Sequence, residues 1–454
     1  MNTRKEHDSM GDLELPGEAL YGAQTQRALQ NFRFSDRRLP AAFIQRLALI
    51  KLAAAAANNR LGVLDDNKAE AIKAAAGEVL AGAYLDQFPV DLFQTGSGTS
   101  TNMNMNEVLA NLAGSGIHPN DDVNMSQSSN DVIPSCIQVA VTLEIEQALL
   151  PALVRFAVAV RTRADREARV IKTGRTHLMD AMPLSLGQEM GAWASQIEEC
   201  ITRLQQLLPR LRALPLGGTA VGTGVNSPPG FAALALAELS RRAGARFTQA
   251  PDRFSRMAGQ DVAAECAMVL KGVALVLTKV SNDLRWMASG PLAGLGEIEL
   301  KPLQPGSSIM PGKVNPVVPE AVLMLCAEVI GNEAAVTIAA QSGNFQLNVM
   351  LPLIADKLLG SISLLAAALP ALSQTISDFR VNEEHLARQL GQNPVLVTGL
   401  NRLIGYEAAA AIAKKAYATG RPVLDVAVEE TGLARSDLVR LLDPERLARP
   451  AADD

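Results

Sequence analysis

Aromatic side chains are scarce in this chain of 454 residues, where two Trp, four Tyr and eleven Phe amount to 4%. Surfaces that stack nucleobases need more of them. Positive charge is not in excess, since 42 Lys and Arg face 47 Asp and Glu for a net charge of −5. A mildly acidic chain has no basic footprint for nucleic acid or anionic lipid, so neither is expected as a partner. Cys136, Cys200, Cys266 and Cys326 are dispersed and form no C-x-x-C pair. Reduced, buried packing residues are expected, and with them a cytoplasmic location. His7, His118, His177 and His385 stand far apart with no H-E-x-x-H among them, so no tight metal site is expected. The opening MNTRKEHDSMGDLEL lacks an apolar h-region, which argues against a secretory signal. Leu358–Ser377 is uncharged but holds Pro370, several serines and Gln374. That is too polar for a good membrane span of about 20 apolar residues, so a buried helix and no membrane contact are expected.

Hydrophobic residues are plentiful at 48% against 20% charged, enough for a large core. At about 150 residues per domain the length suggests roughly three domains. The apolar pattern has helical period, with no convincing block of alternating strands. Met190, Ala194, Ile197, Ile201, Leu204, Leu208 and Leu211 follow a 4-3 spacing, a coiled-coil-like seam whose end Pro209 should kink or shorten. Val269, Leu270, Val273, Leu277 and Val280 follow Cys266 as a second stripe. Ala267, Met268, Ala274 and Leu275 are apolar too, so this helix should be buried nearly all round, inside a bundle or between subunits. Further helices are expected near 136–166, 319–340 and 353–376. The fold class is mainly α.

Between the helices lie polar, Gly-rich connectors: GSGTSTNMN (96–104), HPNDDVNMSQSSND (118–131), GRTHLMD (174–180), GGTAVGTGVN (217–226) and GSSIMPGKVNP (306–316). Functional groups tend to sit on such loops. GSSIMPGK fails as a phosphate loop, because five residues rather than four separate its glycines and Val314 follows Lys313. GTGVN lacks the strand and third glycine of a dinucleotide fingerprint. What remains is a set of hydrogen-bond donors, namely Ser97, Thr99, Ser128, Ser129, Asn130, Thr176, Lys313 and Asn315. Converging donors suit a small substrate with carboxylates. Each hydroxyl or amide could equally be a helix cap. His177 precedes an expected helix, and Glu320 stands in the first turn of another. If they met, the carboxylate would orient the imidazole for acid–base work on water.

These connectors also carry a resemblance. GSSIMPGKVNP resembles the signature loop of the fumarase/aspartase superfamily, and the chain is most similar to its class II fumarate hydratases. The likeness extends over residues 10–32, GSGTSTNMNMNEV, HPNDDVNMSQSSND, KTGRTHLMDAMPLSLGQE (172–189), GGTAVGTGVN, SGNFQLNV (342–349) and GLNRLIGYEAAAAIAKKA (399–416). It implies three largely helical domains, placed here at 1–127, 128–384 and 385–454. The central one would contribute long helices to a homotetramer with a twenty-helix core and active sites shared by three subunits. The implied reaction is reversible anti addition of water to fumarate, giving L-malate, with no metal or organic cofactor.

By position, the resemblance makes Ser307 the catalytic base on a mobile loop and pairs His177 with Glu320 for handling water. Ser97, Thr99, Ser128, Ser129, Asn130, Thr176, Ser308, Lys313 and Asn315 would bind the dicarboxylate substrate. His118, Pro119, Asn120 and Asp121 match a second, non-catalytic carboxylate site. Two departures stand out: Ser115 where some fumarases have arginine, and Met125 where many have lysine. The sister reaction, aspartate ammonia-lyase, is the alternative, and PVVPEAV after the signature loop leans that way. S-S-N at 128–130, P-G-K at 311–313 and G-S-G-T at 96–99 favour fumarase. A catalytically silent structural protein is a remoter alternative, against which the intact signature loop argues.

Overall fold

The computed structural model describes residues 3–449. A hairpin of β1 (Thr3–Asp8) and β2 (Gly11–Pro16) opens the chain. Helices α1 (Ala23–Asn31), α2 (Ala41–Arg60), α3 (Asp66–Leu80), α4 (Thr99–Ala113), α5 (Ser129–Glu144) and α6 (Leu150–Arg166) follow. A second hairpin, β3 (Ile171–Thr176) and β4 (Met179–Ser185), leads into α7 (Leu186–Leu211). After α8 (Phe231–Ala243) and α9 (Arg253–Ala258) come the long helices α10 (Asp261–Met287), α11 (Val317–Ala340) and α12 (Leu351–Asp378). Shorter helices run from Glu383–Gly391 to Pro444–Leu447. Strands pair only two by two among the described residues, so the fold is mainly α.

Two compact units divide these elements, with boundaries inside helices. The first comprises Met1–Pro151, Cys200–Ala274 and Leu325–Ala367. Its hub is α2, whose Ala-rich sequence lets α3, α5 and α8 approach closely. Phe43, Leu47, Ile50 and Ala54 are completely buried there, and so is Lys51. Glu107 of α4 caps the N-terminus of α1 from outside, accepting from the backbone N–H groups of Gly22 (2.9 Å), Gln24 (2.9 Å) and Thr25 (3.2 Å) and from the Thr25 hydroxyl (2.5 Å). A Cβ at position 22 would lie 2.7 Å from Glu6 Oε2 and 2.9 Å from Glu107 Cδ, so a larger residue would have to displace the capping carboxylate.

The second unit comprises Ala152–Glu199, Leu275–Met324 and Ala368–Asp454. Arg163 of α6 caps the other end of a helix here. Its guanidinium donates to the carbonyls of Ile376 (3.3 Å), Ser377 (2.9 Å) and Phe379 (2.8 Å) at the end of α12, pairs with Glu167 (2.8 Å), and stacks 3.8 Å over the Phe379 ring. The C-terminal helices enclose a core of their own around Leu396, Leu400, Ile412, Val426 and Leu438.

The helices expected from periodicity are present, and α7 ends two residues after Pro209. The α10 stripe is buried as expected at Cys266, Leu270, Val273, Leu277 and Val280, whereas Met268 and Leu275 are 54% and 53% exposed. The β3–β4 hairpin was not expected. Its alternation is broken by a register shift between Thr173 and Arg175 and by Pro183, which removes a clean two-residue period. By length and composition alone, Ala41–Arg60, Ser129–Arg166, Val317–Ala340 and Leu351–Asp378 are apolar enough to cross a membrane, so the polar residues of 358–377 do not set that helix apart. More than half of each is packed inside the chain, except Val317–Ala340, where a third is.

All four cysteines are buried. Burial pushes the Cys266 thiol up to about 12 and the Cys136 thiol well above its usual value. At pH 8 the native protein should therefore react with less than roughly a tenth of an equivalent of a disulfide thiol reagent within minutes. The chain unfolded in guanidinium should release all four thiols.

Candidate active site

In the first unit the polar connectors converge on the N-termini of α4 and α5. Gly96 sits where a Cβ would lie 1.8 Å from the Val349 carbonyl oxygen, and its own carbonyl accepts from Leu351 N (2.9 Å). Gly98 opens α4 at φ 73°, a left-handed conformation that suits glycine, and supplies no side-chain cap. Ser97 and Thr99 are thus not caps. Their hydroxyls face each other at 2.8 Å, and a cavity of about 370 Å³ opens beside Thr99, lined also by Thr95, Ser100, Arg27 and Asp8.

Ser128 is a cap. Its hydroxyl accepts from Asn130 N (3.2 Å), while Asp131 accepts from Ser128 N (2.9 Å), closing a capping box. The second oxygen of Asp131 accepts from Gly217 N (2.8 Å), and the Asn130 amide donates to Ala220 O (2.9 Å). The first turn of α5 therefore holds the 217–226 connector. Ser129 is held from below. Asn102 donates to its hydroxyl (3.0 Å) and to Asn124 Oδ1 (3.2 Å), and the Lys51 amine donates to Asn124 (2.9 Å) and Gln127 (3.1 Å). Burial pushes Lys51 down to about 7, opposed by the charge of Asp131. Burial likewise pushes Asp131 up to about 6, against backbone N–H groups of Ser128, Thr219 and Gly217.

In the second unit, Thr176 and Met179 are paired across the β3–β4 hairpin, leaving His177 and Leu178 as a two-residue turn. Both are left-handed, at φ 56° and 62°, which is type I′ geometry. His177 therefore stands at an exposed hairpin tip and not directly ahead of a helix, since all of β4 separates it from α7. Non-glycine residues held this way store strain of order 1 kcal/mol each, a pattern that clusters at functional sites.

The 300–316 segment has no regular structure. Asn315 Nδ2 donates to Gly306 O (2.7 Å) and Gly306 N to Lys313 O (3.0 Å), so the glycine-bounded loop is tied at its neck. Ser307 Oγ accepts from Ile309 N (3.2 Å) and Met310 N (3.1 Å). Two N–H dipoles aimed at one hydroxyl oxygen favour its deprotonated form. Ser308 and Lys313 are exposed, and so is Glu320 in the first turn of α11. Among the described residues, no hydrogen bond or ion pair joins His177 to Glu320.

Comparison with known proteins identifies the family. Residues 11–331 match the lyase family model, and residues 396–449 match that of the fumarase C C-terminus. The chain is 53% identical over 451 residues to fumarate hydratase class II 2 of Pseudomonas aeruginosa, covering 98% of both. It is 54% identical over 449 residues to fumarate hydratase class II of Xylella fastidiosa, covering 98% of this chain and 95% of that one. The chain belongs to the class II fumarate hydratase family. A crystal structure of recombinant class II fumarase from Schistosoma mansoni superposes with a TM-score of 0.97 at 34% identity, over 99% of this chain and 100% of that one. As a member of the fumarate hydratase family the chain is an enzyme, a hydro-lyase of fumarase fold.

The segment expected to form a second carboxylate site is a single π-helical turn, Pro119–Val123, capped by His118. His118 Nδ1 accepts from Asp121 N (3.1 Å), its backbone N–H donates to Asp122 (2.7 Å), and Asp122 is clasped by Lys68 at 2.8 and 2.9 Å. Residues that sequence reasoning passed over are the buried charges behind the loops, Lys51 and Asp131 above all. A lone lysine inside ALIKLAAAAA was the available signal.

Because the folded value of Lys51 lies below its ordinary 10.5, the unfolded chain binds the extra proton between about pH 7 and 10.5. Stability from this group therefore rises with pH across that window. Urea unfolding at pH 7 and pH 10 should show a steeper rise for wild type than for Lys51→Met, by roughly 1 kcal/mol or more. Parallel behaviour of the two would mean that Lys51 stays charged.

Proposed function

We propose that this chain catalyses the reversible anti addition of water to fumarate, giving L-malate through an aci-carboxylate, with Ser307 as the base. Removing a proton next to a carboxylate loads that carboxylate with a second negative charge, and stabilising it is the main catalytic demand. Ser307 takes the C3 proton of malate, aided by the two N–H groups that already point at its oxygen. Ser308, Lys313 and Asn315 bind the carboxylate that accumulates charge. His177, oriented by Glu320, delivers the proton with which the hydroxyl leaves as water. Ser97, Thr99, Ser128, Ser129, Asn130 and Thr176 bind the rest of the dicarboxylate. His118, Pro119, Asn120 and Asp121 belong to the same proposal as a second carboxylate site, weakened by Ser115. The observation that carries the reading is the donor-rich environment of Ser307 in a chain of this family.

The working form in this proposal is a homotetramer whose active sites draw on three subunits and whose twenty-helix core includes α7, α10, α11 and α12 of each. Large apolar side chains left uncovered on two of these helices support it: Met268 and Leu275 on α10, and Met324 (70% exposed) and Ile338 (57%) on α11.

Substrate choice tests the chemistry. Malate and aspartate share the four-carbon dicarboxylate, so discrimination must come from groups facing the leaving atom near His177 and 128–130. A site arranged for water leaves buried groups mispaired against an ammonium, a penalty of about a hundredfold or more. Followed by fumarate absorbance, L-malate should be dehydrated readily and L-aspartate deaminated at least roughly a hundredfold more slowly. Equal rates would make aspartate ammonia-lyase the correct assignment.

Mixing tests the assembly. Ser307→Ala and His177→Asn should each lose most turnover while folding normally. Denatured and refolded together they should regain activity, because some sites then combine two intact contributions. Mixtures as inactive as the separate variants, under conditions where wild type recovers, would overturn the shared site.

A further inference from the structure

Two elements of the second unit carry groups assigned to the reaction: the hairpin tip with Thr176 and His177, and the segment leading to Ser307. A single carboxylate stands behind both. Glu297 is 1% exposed, and its oxygens accept separately from Lys172 Nζ (2.6 Å) and from Arg175 Nη1 (2.6 Å). Lys172 and Arg175 both lie on β3, and Arg175 immediately precedes Thr176. Lys172 is itself 2% exposed and also donates to Glu189 (2.7 Å) in the first turn of α7, so two cations and two carboxylates balance.

The backbone of Glu297 is fixed on both sides. Its N–H donates to Met287 O (2.8 Å) at the end of α10, and its carbonyl accepts from Asn382 N (2.9 Å). Ile298 and Glu299 then pair with Val381 and Arg380 before the chain enters the Ser307 segment. The carboxylate is thus an anchored point from which the hairpin hangs by two charge-assisted hydrogen bonds, the stronger kind. We propose that Glu297 is a positioning residue for the hydration reaction, fixing the His177 hairpin against the stem of the Ser307 segment. The inference rests on the assignment of His177 given above.

A residue that acts through His177 should matter only while His177 is present, whereas a general structural role would lower activity by the same factor in any background. In a double-mutant cycle on kcat for malate dehydration, Glu297→Gln should cost about tenfold or more in wild type but less than about threefold on the residual activity of His177→Asn. Circular dichroism and assembly size, measured in parallel, should be unchanged. Equal losses in both backgrounds would overturn the proposal. Should Glu297→Gln fail to fold, Arg175→Gln leaves the buried Lys172 pairs in place and makes the same comparison, with equal losses again overturning it. Wild-type activity in His177→Asn alone is a separate outcome, which would remove the assignment of His177 and the inference with it.

Discussion

Charge withdrawn from water must meet opposite charge or oriented N–H groups, and both units use that demand to hold their loops. In the first, the Asp131 carboxylate gathers the backbone of Ser128 and Gly217, while the Lys51 amine reaches Ser129 through Asn124 and Asn102. Glu107 does the same for the first turn of α1. In the second, Glu297 and Glu189 hold β3 by its lysine, and Glu297 also by its arginine. Each of these groups loses much more by being left alone than it gains by pairing, so the loops they tie have few alternative positions.

That arrangement suits a site built largely from neutral donors. Hydroxyls, amides and backbone N–H groups can surround a dicarboxylate without adding the strong fields that several unscreened cations would bring. Preorganised dipoles do not have to reorient as charge grows, provided something rigid carries them. The buried ion pairs provide that rigidity, and their own charges are already neutralised by their partners.

Much of this was legible in the sequence, and the unread parts share a cause. Local signals sufficed for α11 and α12, expected at 319–340 and 353–376 and found at Val317–Ala340 and Leu351–Asp378. Repeated hydrophobic spacing is a property of neighbours along one helix. The connectors were equally plain, because five loops rich in Ser, Thr, Asn and Gly exceed what turning requires. The β3–β4 hairpin was not legible, since a bulge and Pro183 erase its period. The ties between Lys172 and Glu297, 125 residues apart, and between Asp131 and Gly217, 86 apart, leave no local trace at all. Capping and binding could not be separated at Ser128 and Thr99 until backbone angles showed that one caps and the other does not.

The two-residue turn at His177 and the irregular segment around Ser307 differ in when they surrender conformational freedom. A type I′ turn between paired strands has almost none left once the chain is folded. The 300–316 segment is bound mainly at its neck by Asn315 and Gly306, with Ile309 and Met310 largely in solvent. In the proposal that this segment carries the base, ordering it falls due when the substrate arrives. Heat should consequently weaken the contribution of the second element to ligand affinity more than that of the first, so the temperature dependence of binding belongs chiefly to the loop and the geometric precision to the hairpin.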